Sequence, residues 1–297
     1  MKIFIIFLKS LKALNKVIKL LKKRMKINIR GKLIDLSEPK IMGILNLTPD
    51  SFYDGGKYNE VKTALNQTEK MISQGAFFID LGACSTRPGA KAISVDEEKK
   101  RLLPVLEKLI REFPETYFSI DTYRSSVAAE GLDLGAAMIN DISGGQFDSK
   151  MMETVGKHSI PYVLMHISGK PENMQNKPQY KNVVKEVLFY FSKKVQQALE
   201  AGIIDIIIDP GFGFGKSMSH NYEILKNLEL LKNIEFPLMI GISRKSMIYK
   251  KLGINSDQAL NGSSVLNTVA LLKGTNILRV HDVLQAKECV DLLQALR

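Results

Sequence analysis

Cysteine is nearly absent from this chain. Cys84 and Cys289 are the two thiols in 297 residues, too few for a disulfide framework, so reduced thiols in a cytoplasmic protein are the expectation. Cys84 sits among polar loop residues but has no adjacent base, which weakens a nucleophilic reading. Of the four histidines, His158, His166 and His220 lack metal-ligand spacing, and a zinc site is not expected. Acid is missing from residues 1–24, which carry Lys2, Lys9, Lys12, Lys16, Lys19, Lys22, Lys23 and Arg24. Taking those eight charges from the net +11 leaves +3, so the body of the chain is only mildly basic. The longest uncharged stretch of that tail, Ile3 to Leu8, falls far short of the roughly 20 residues a spanning helix needs. It also lacks a small-residue cleavage site, which argues against a secretory signal. Neither stable membrane insertion nor a nucleic-acid partner is expected.

No internal repeat or low-complexity linker divides residues 26–297. Met25 opens Met25-Lys26-Ile27-Asn28-Ile29, which reads as a first strand. Residues 1–24 are therefore taken as a basic amphipathic extension outside the fold, most simply sequence upstream of the working start, and 25–297 as one catalytic domain.

What is present is an eightfold alternation. Short apolar runs at 41–46, 77–81, 117–121, 138–141, 162–166, 206–209, 238–242 and 277–280 have the continuous Ile, Val, Leu and Ala content of buried parallel strands. Helical spacing fills the intervals at 60–73, 96–112, 124–134, 149–157, 180–201, 220–232, 257–273 and 283–296. A capping box at Ser94 and Glu97 opens the second helix, and Pro104 is expected to kink or break it. Eight strand–helix units predict an α/β fold, a single (β/α)8 TIM barrel with an N-terminal extension.

Several runs stop on a polar or charged residue: Asp121, Asn140, Asp209, Ser243-Arg244-Lys245 and Arg279-Val280-His281. Such groups are costly to bury singly, so they are expected to meet at one wet site at the carboxyl ends of the strands. Two carboxylates and an amide suit a planar heterocycle with amidine-like N–H groups. Cations after the seventh and eighth strands suit a phosphate or diphosphate. Asn46 and Asp50 offer oxygens to a hard cation such as Mg²⁺. Asp209-Pro210-Gly211-Phe212-Gly213-Phe214-Gly215-Lys216-Ser217 is not a P-loop, because the first glycine of that pattern falls on Pro210; its glycines are read instead as allowing close approach of a flat ligand. The connections 47–59 and 83–95 are long for this fold and are candidate lids.

Read in order, Ile44-Leu45-Asn46-Leu47-Thr48-Pro49-Asp50-Ser51-Phe52, Ser85-Thr86-Arg87-Pro88-Gly89, Ile139-Asn140-Asp141, Leu164-Met165-His166, Asp209 to Lys216, Ser243-Arg244-Lys245-Ser246 and Arg279-Val280-His281 resemble the dihydropteroate synthase family of folate biosynthesis. The resemblance runs from about Lys26 to the C-terminus. It implies a transferase that joins (7,8-dihydropterin-6-yl)methyl diphosphate to 4-aminobenzoate, releasing diphosphate, with Mg²⁺ and as a homodimer. Carried over by residue, it implies that Asp121, Asn140, Asp209 and Lys245 hold the pterin, with Met165 packed on it. Thr86, Arg87, Arg279 and His281 contact diphosphate, Asn46 binds Mg²⁺, and Phe52, Pro88, Phe214 and Ser246 form the aminobenzoate pocket. Asp121, Lys245, Arg279 and His281 are the implied catalytic groups, and Asp54 is a further lid residue. Cys84 departs from the family pattern, which has Glu before Ser-Thr-Arg-Pro-Gly. A pterin-dependent methyltransferase would share the acids and amide, but would have no use for Arg87, Arg279 and His281 aimed at a diphosphate.

Overall fold

The computed structural model describes residues 25–47, 56–84, 93–171, 173–174 and 178–296, so residues 1–24 lie outside the described part. It opens with a hairpin of β1 (Lys26–Ile29) and β2 (Lys32–Asp35), paired Lys26 to Asp35 and Ile29 to Lys32. Arg30 and Gly31 both take positive φ, 51° and 78°, as a two-residue turn matched to strand twist requires. β1 is the strand expected from Met25 onward. β2 was not foreseen, since its only apolar residues are Leu33 and Ile34.

Eight parallel strands follow: β3 (Lys40–Asn46), β4 (Phe78–Gly82), β5 (Tyr117–Asp121), β6 (Met138–Asp141), β7 (Tyr162–Met165), β8 (Ile206–Asp209), β9 (Met239–Ile240) and β10 (Ile277–Val280). Their order in the sheet is β8-β7-β6-β5-β4-β3-β10-β9. A parallel bridge from Ile208 to Leu238, with Ile208 N–H donating to the Pro237 carbonyl at 2.9 Å, brings β8 beside β9 and closes the barrel. All eight predicted strands are present.

The helices between them are α1 (Gly56–Ser73), α2 (Val95–Glu112), α3 (Ser125–Asp133), α4 (Met151–His158), α5 (Val183–Glu200), α6 (Met218–Lys226), α7 (Ser246–Leu252), α8 (Leu260–Leu272) and α9 (Val283–Gln294). Ser94 caps α2 by accepting the Glu97 N–H at 3.1 Å, while the Glu97 carboxylate takes Arg101 at 2.7 Å. The helix runs unbroken past Pro104, contrary to the predicted break. Leu102, Val105, Leu106 and Leu109 are buried along one face, and that packing holds the turn that lost an N–H. α7 was not predicted; seven residues are too few to register as a period.

Burial divides each strand between two cores. Ile79 and Leu81, Phe118 and Ile120, Ile206 and Ile208, and Leu278 and Val280 pack outward under the helices. Met42, Phe78, Met138, Val163, Ile207, Met239 and Ile277 instead share an inner cluster with Ile27, Ile29 and Leu36. The hairpin therefore plugs the end of the barrel from which the strands start. One pleat repeat beyond that plug, side chains of the same inward row meet at the other end, and there the row turns polar.

Candidate active site

Two residues beyond Phe78, Met138, Ile207 and Ile277 stand Asp80, Asn140, Asp209 and Arg279. Asp121 joins them from β5, its Cα in register with Asn140. The Arg279 guanidinium donates from Nε to Asp80 Oδ2 and from Nη2 to Asp121 Oδ2, each at 2.7 Å. Asn140 Nδ2 donates to the same Asp80 oxygen at 2.8 Å. One cation thus faces two buried carboxylates. Burial pushes the Asp121 carboxyl up to about 7, against the lowering pull of Arg279, and neighbouring Asp80 adds to the rise. Asp141, next to Asn140, turns the other way and is absorbed by structure: it accepts from Ser143, Gly145 and Tyr162.

Across the mouth, Asp209 accepts the Gly211 N–H at 2.7 Å, and burial raises its carboxyl while Lys245 opposes the rise. Lys245 lies over the Phe214 ring, 4.6 Å from its centroid, and donates to the Phe212 carbonyl. Burial lowers its ammonium to about 8, partly offset by Asp209. Met165, buried, packs with Ile142, Ile167, Met174, Tyr123, Phe147 and Phe214 in an apolar shelf beside these charges. A flat ring with polar edges matches that combination of shelf and buried acceptors.

Two of the glycines after β8 have a packing role. A Cβ on Gly211 would stand 2.1 Å from the His166 carbonyl oxygen, and one on Gly215 would stand 2.2 Å from that of Ser168. Both take positive φ, 67° and 61°. The close approach that Gly211 and Gly215 permit is to the main chain after β7. Buried Lys216 secures it by donating to the carbonyls of His166, Gly211 and Phe214 at 3.0 to 3.2 Å.

Arg244 is not part of the expected cation cluster. Its guanidinium grips Asp282 through two bonds of 2.8 Å and reaches the Asp257 carbonyl, so its charge is spent on joining α7 to the loop after β10. His281 does stand at the rim, its main-chain N–H and Nδ1 each 3.2 Å from Ser243 Oγ. Ser246 begins α7 directly after Lys245. Asn46 ends β3 at the same rim, paired in register with Gly82. Among the described residues no group of three or more His, Cys, Asp or Glu side chains could hold a metal ion. Thr86, Arg87, Pro88, Phe52, Asp50 and Asp54 lie outside the described residues.

The root of the second long loop is described. Arg124 donates to the carbonyls of Ile93 and Ser94 and to buried Glu98, which also accepts from Thr122 at 2.7 Å. At the other root, burial and then Glu98 raise the Cys84 thiol, keeping it protonated rather than nucleophilic.

Asp80 and Glu98 are the polar residues that sequence reasoning passed over. The inward row offered a signal for Asp80: it falls on the same pleat as Phe78. It was hidden because β4 ends two residues later in Leu81-Gly82, so no charge marks the end of that run.

A closed parallel barrel whose strand ends gather acids, an amide and cations around an apolar shelf is an enzyme built to hold a polar heterocycle with an anionic substituent. The family described as pterin binding enzyme matches residues 42–281. The chain is 44% identical over 205 residues to dihydropteroate synthase of Haemophilus influenzae, covering 68% of this chain and 74% of that protein. For the Escherichia coli enzyme of the same name the figures are 43% over 203 residues, 68% and 71%. Among solved structures, Yersinia pestis dihydropteroate synthase with a sulfonamide drug complex matches with a TM-score of 0.86 at 41% identity, covering 92% of this chain and 99% of that one. The Xanthomonas albilineans enzyme with 4-aminobenzoic acid matches at 0.86 and 35%, covering 92% and 98%. The chain belongs to the pterin binding enzyme family.

Proposed function

We infer that this barrel catalyses dihydropteroate synthesis, condensing (7,8-dihydropterin-6-yl)methyl diphosphate with 4-aminobenzoate to give 7,8-dihydropteroate and diphosphate. The observation that carries the reading is the meeting of Asp121, Asn140, Asp209, Lys245 and Arg279 beside Met165, acids and amide for the ring and cations for its tail. Asp121, Asn140, Asp209 and Lys245 hold the pterin over Met165. Arg279 and His281, with Thr86 and Arg87 of the second loop, take the diphosphate; Phe52, Pro88, Phe214 and Ser246 receive the aminobenzoate.

An arylamine is a weak nucleophile, so the enzyme assists departure of the leaving group. Arg279 stabilises the charge growing on the diphosphate oxygen as the C–O bond breaks, and the Asp121 carboxylate favours the positive charge left on the pterin methylene. The amine nitrogen then forms the C–N bond and sheds a proton. This order places the pterin substrate first and water exclusion by the two long loops second.

A single amide oxygen at Asn46 fits Mg²⁺ that shares most of its ligands with substrate phosphate and water rather than sitting in a protein cage. Bound there, the ion supplies further neutralisation of the leaving group. The family resemblance implies a homodimer, and sedimentation at twice the chain mass is the expected outcome that checks it.

The deciding experiment is diphosphate release that requires both substrates together. Arg279→Ala is expected to weaken diphosphate affinity by about 2–5 kcal/mol, the cost of breaking a desolvated charge pair. Turnover without 4-aminobenzoate, or undiminished diphosphate binding in that variant, would refute the assignment.

A further inference from the structure

Asp80 has no part in the reading above, yet it touches two of the groups that do. It lies in the body of β4, wholly buried, and one oxygen, Oδ2, accepts both from Arg279 Nε at 2.7 Å and from Asn140 Nδ2 at 2.8 Å. Its other oxygen accepts nothing among the described residues. A buried carboxylate held this way is expensive unless its bonds are needed. We propose that Asp80 is a positioning residue for the transfer reaction: one carboxylate oxygen that sets the orientation of both the Asn140 amide and the Arg279 guanidinium. The proposal rests on the reading of the site as a pterin and diphosphate pocket.

The consequences differ for the two partners. An amide presents a donor on one side and an acceptor on the other, and a flip exchanges them. With Nδ2 turned to Asp80, Asn140 keeps Oδ1 on the opposite side, as an acceptor for a ring N–H. Arg279 divides its donors between two acids, Nε to Asp80 and Nη2 to Asp121, and Nη1 stands outside both bonds. A pterin ring that claims Asp121 competes for that carboxylate with Nη2. The Nε bond to Asp80 is then the tether that keeps the guanidinium at the rim, where the diphosphate would lie. Asp80 thus serves as a pivot, and a misplacement of about 1 Å at such a group is enough to lose rate on the order of 100-fold.

The test compares wild type with Asp80→Asn, which keeps shape and removes charge. The expected result is a fall of about 10- to 100-fold in kcat/KM for the diphosphate substrate, with the KM for 4-aminobenzoate changed less than about threefold. The acidic limb of the kcat/KM profile is expected to move to lower pH, because Arg279 then pairs with Asp121 alone and the neighbouring negative charge is gone. A loss of kcat alone, with KM values and the acidic limb unchanged, is what a merely structural residue would give, and it overturns the proposal. So does full activity.

A second measurement needs no Asp80 variant. In wild-type protein the Arg279 Nε–H resonance, identified by its loss in Arg279→Lys, is expected to exchange slowly with water both free and with the diphosphate substrate bound. Fast exchange in either state removes the tether and the proposal with it. Absence of turnover in the wild type would instead refute the synthase reading, leaving the Nε–H result in the free protein to decide on the tether.

Discussion

Asp121 and Lys245 are two ionisable groups whose folded environments bring their pKa values close together, to about 7 and about 8. In its proposed role Asp121 accepts ring N–H groups only when ionised, so binding is expected to strengthen as pH rises through about 7. In its proposed role Lys245 faces the ring and Asp209 as a cation, so binding is expected to weaken above about 8. A narrow bell-shaped pH profile of kcat/KM for the pterin substrate is the expected outcome, measured by steady-state kinetics from pH 5 to 10. Lys245→Arg cannot lose its proton in this range; it is expected to lower the rate and erase the alkaline limb. An alkaline limb that persists in that variant belongs to another group. The same residues show what a one-dimensional rule can find. Asp121, Asn140, Asp209 and Arg279 were legible because each ends or nearly ends an apolar run. Asp80 was not, and Arg244 was misread, since a sequence does not reveal that Asp282 turns to meet it.

At the scale of the element, the loop after β8 shows a motif whose residues were seen and whose use was not. Its glycines seat one βα loop on another, and Lys216 staples the pair through three carbonyls. Gly211→Ala places a Cβ 2.1 Å from the His166 oxygen at positive φ. The left-handed backbone alone costs roughly 1–3 kcal/mol, and the contact forces His166 or Gly211 to move as well. A lower thermal midpoint is expected together with a raised KM for the pterin substrate, because Met165, Phe214 and Lys245 share this seam. Unchanged KM in the folded variant would separate the loop from the pocket. Helical period located every long helix, whereas α7 and β2 were too short or too polar to register. Pro104 shows tertiary packing overriding a local breaker.

For the whole molecule, the division of labour between the two barrel ends is thermodynamic at one and chemical at the other. The β1–β2 hairpin inserts Ile27 and Ile29, each 1% exposed, into the inner cluster of Met42, Phe78, Met138 and Ile207. Ile29→Ala is expected to destabilise the fold by about 2–5 kcal/mol, as for other large-to-small changes in a closed core. Denaturant unfolding measures the loss, and substrate KM values at temperatures where the protein is folded are expected to stay within about twofold of wild type. A matching collapse of KM would show that the plug and the mouth are not independent.

Eight apolar runs alternating with helical spacing were enough to indicate the barrel, because short continuous runs of Ile, Val and Leu suit strands buried on both faces. The polar residues closing those runs were enough to point to one end of it. Which of those residues share a pocket was decided only by closure. Joining Ile208 to Leu238 bends an open sheet into a ring and brings its two edge strands together, so that Asp209 at the end of β8 stands near Lys245, which follows β9. Pleat direction separates Asn140 from Asp141, adjacent in the chain and opposite in fate, since side chains one residue apart face opposite sides of a strand.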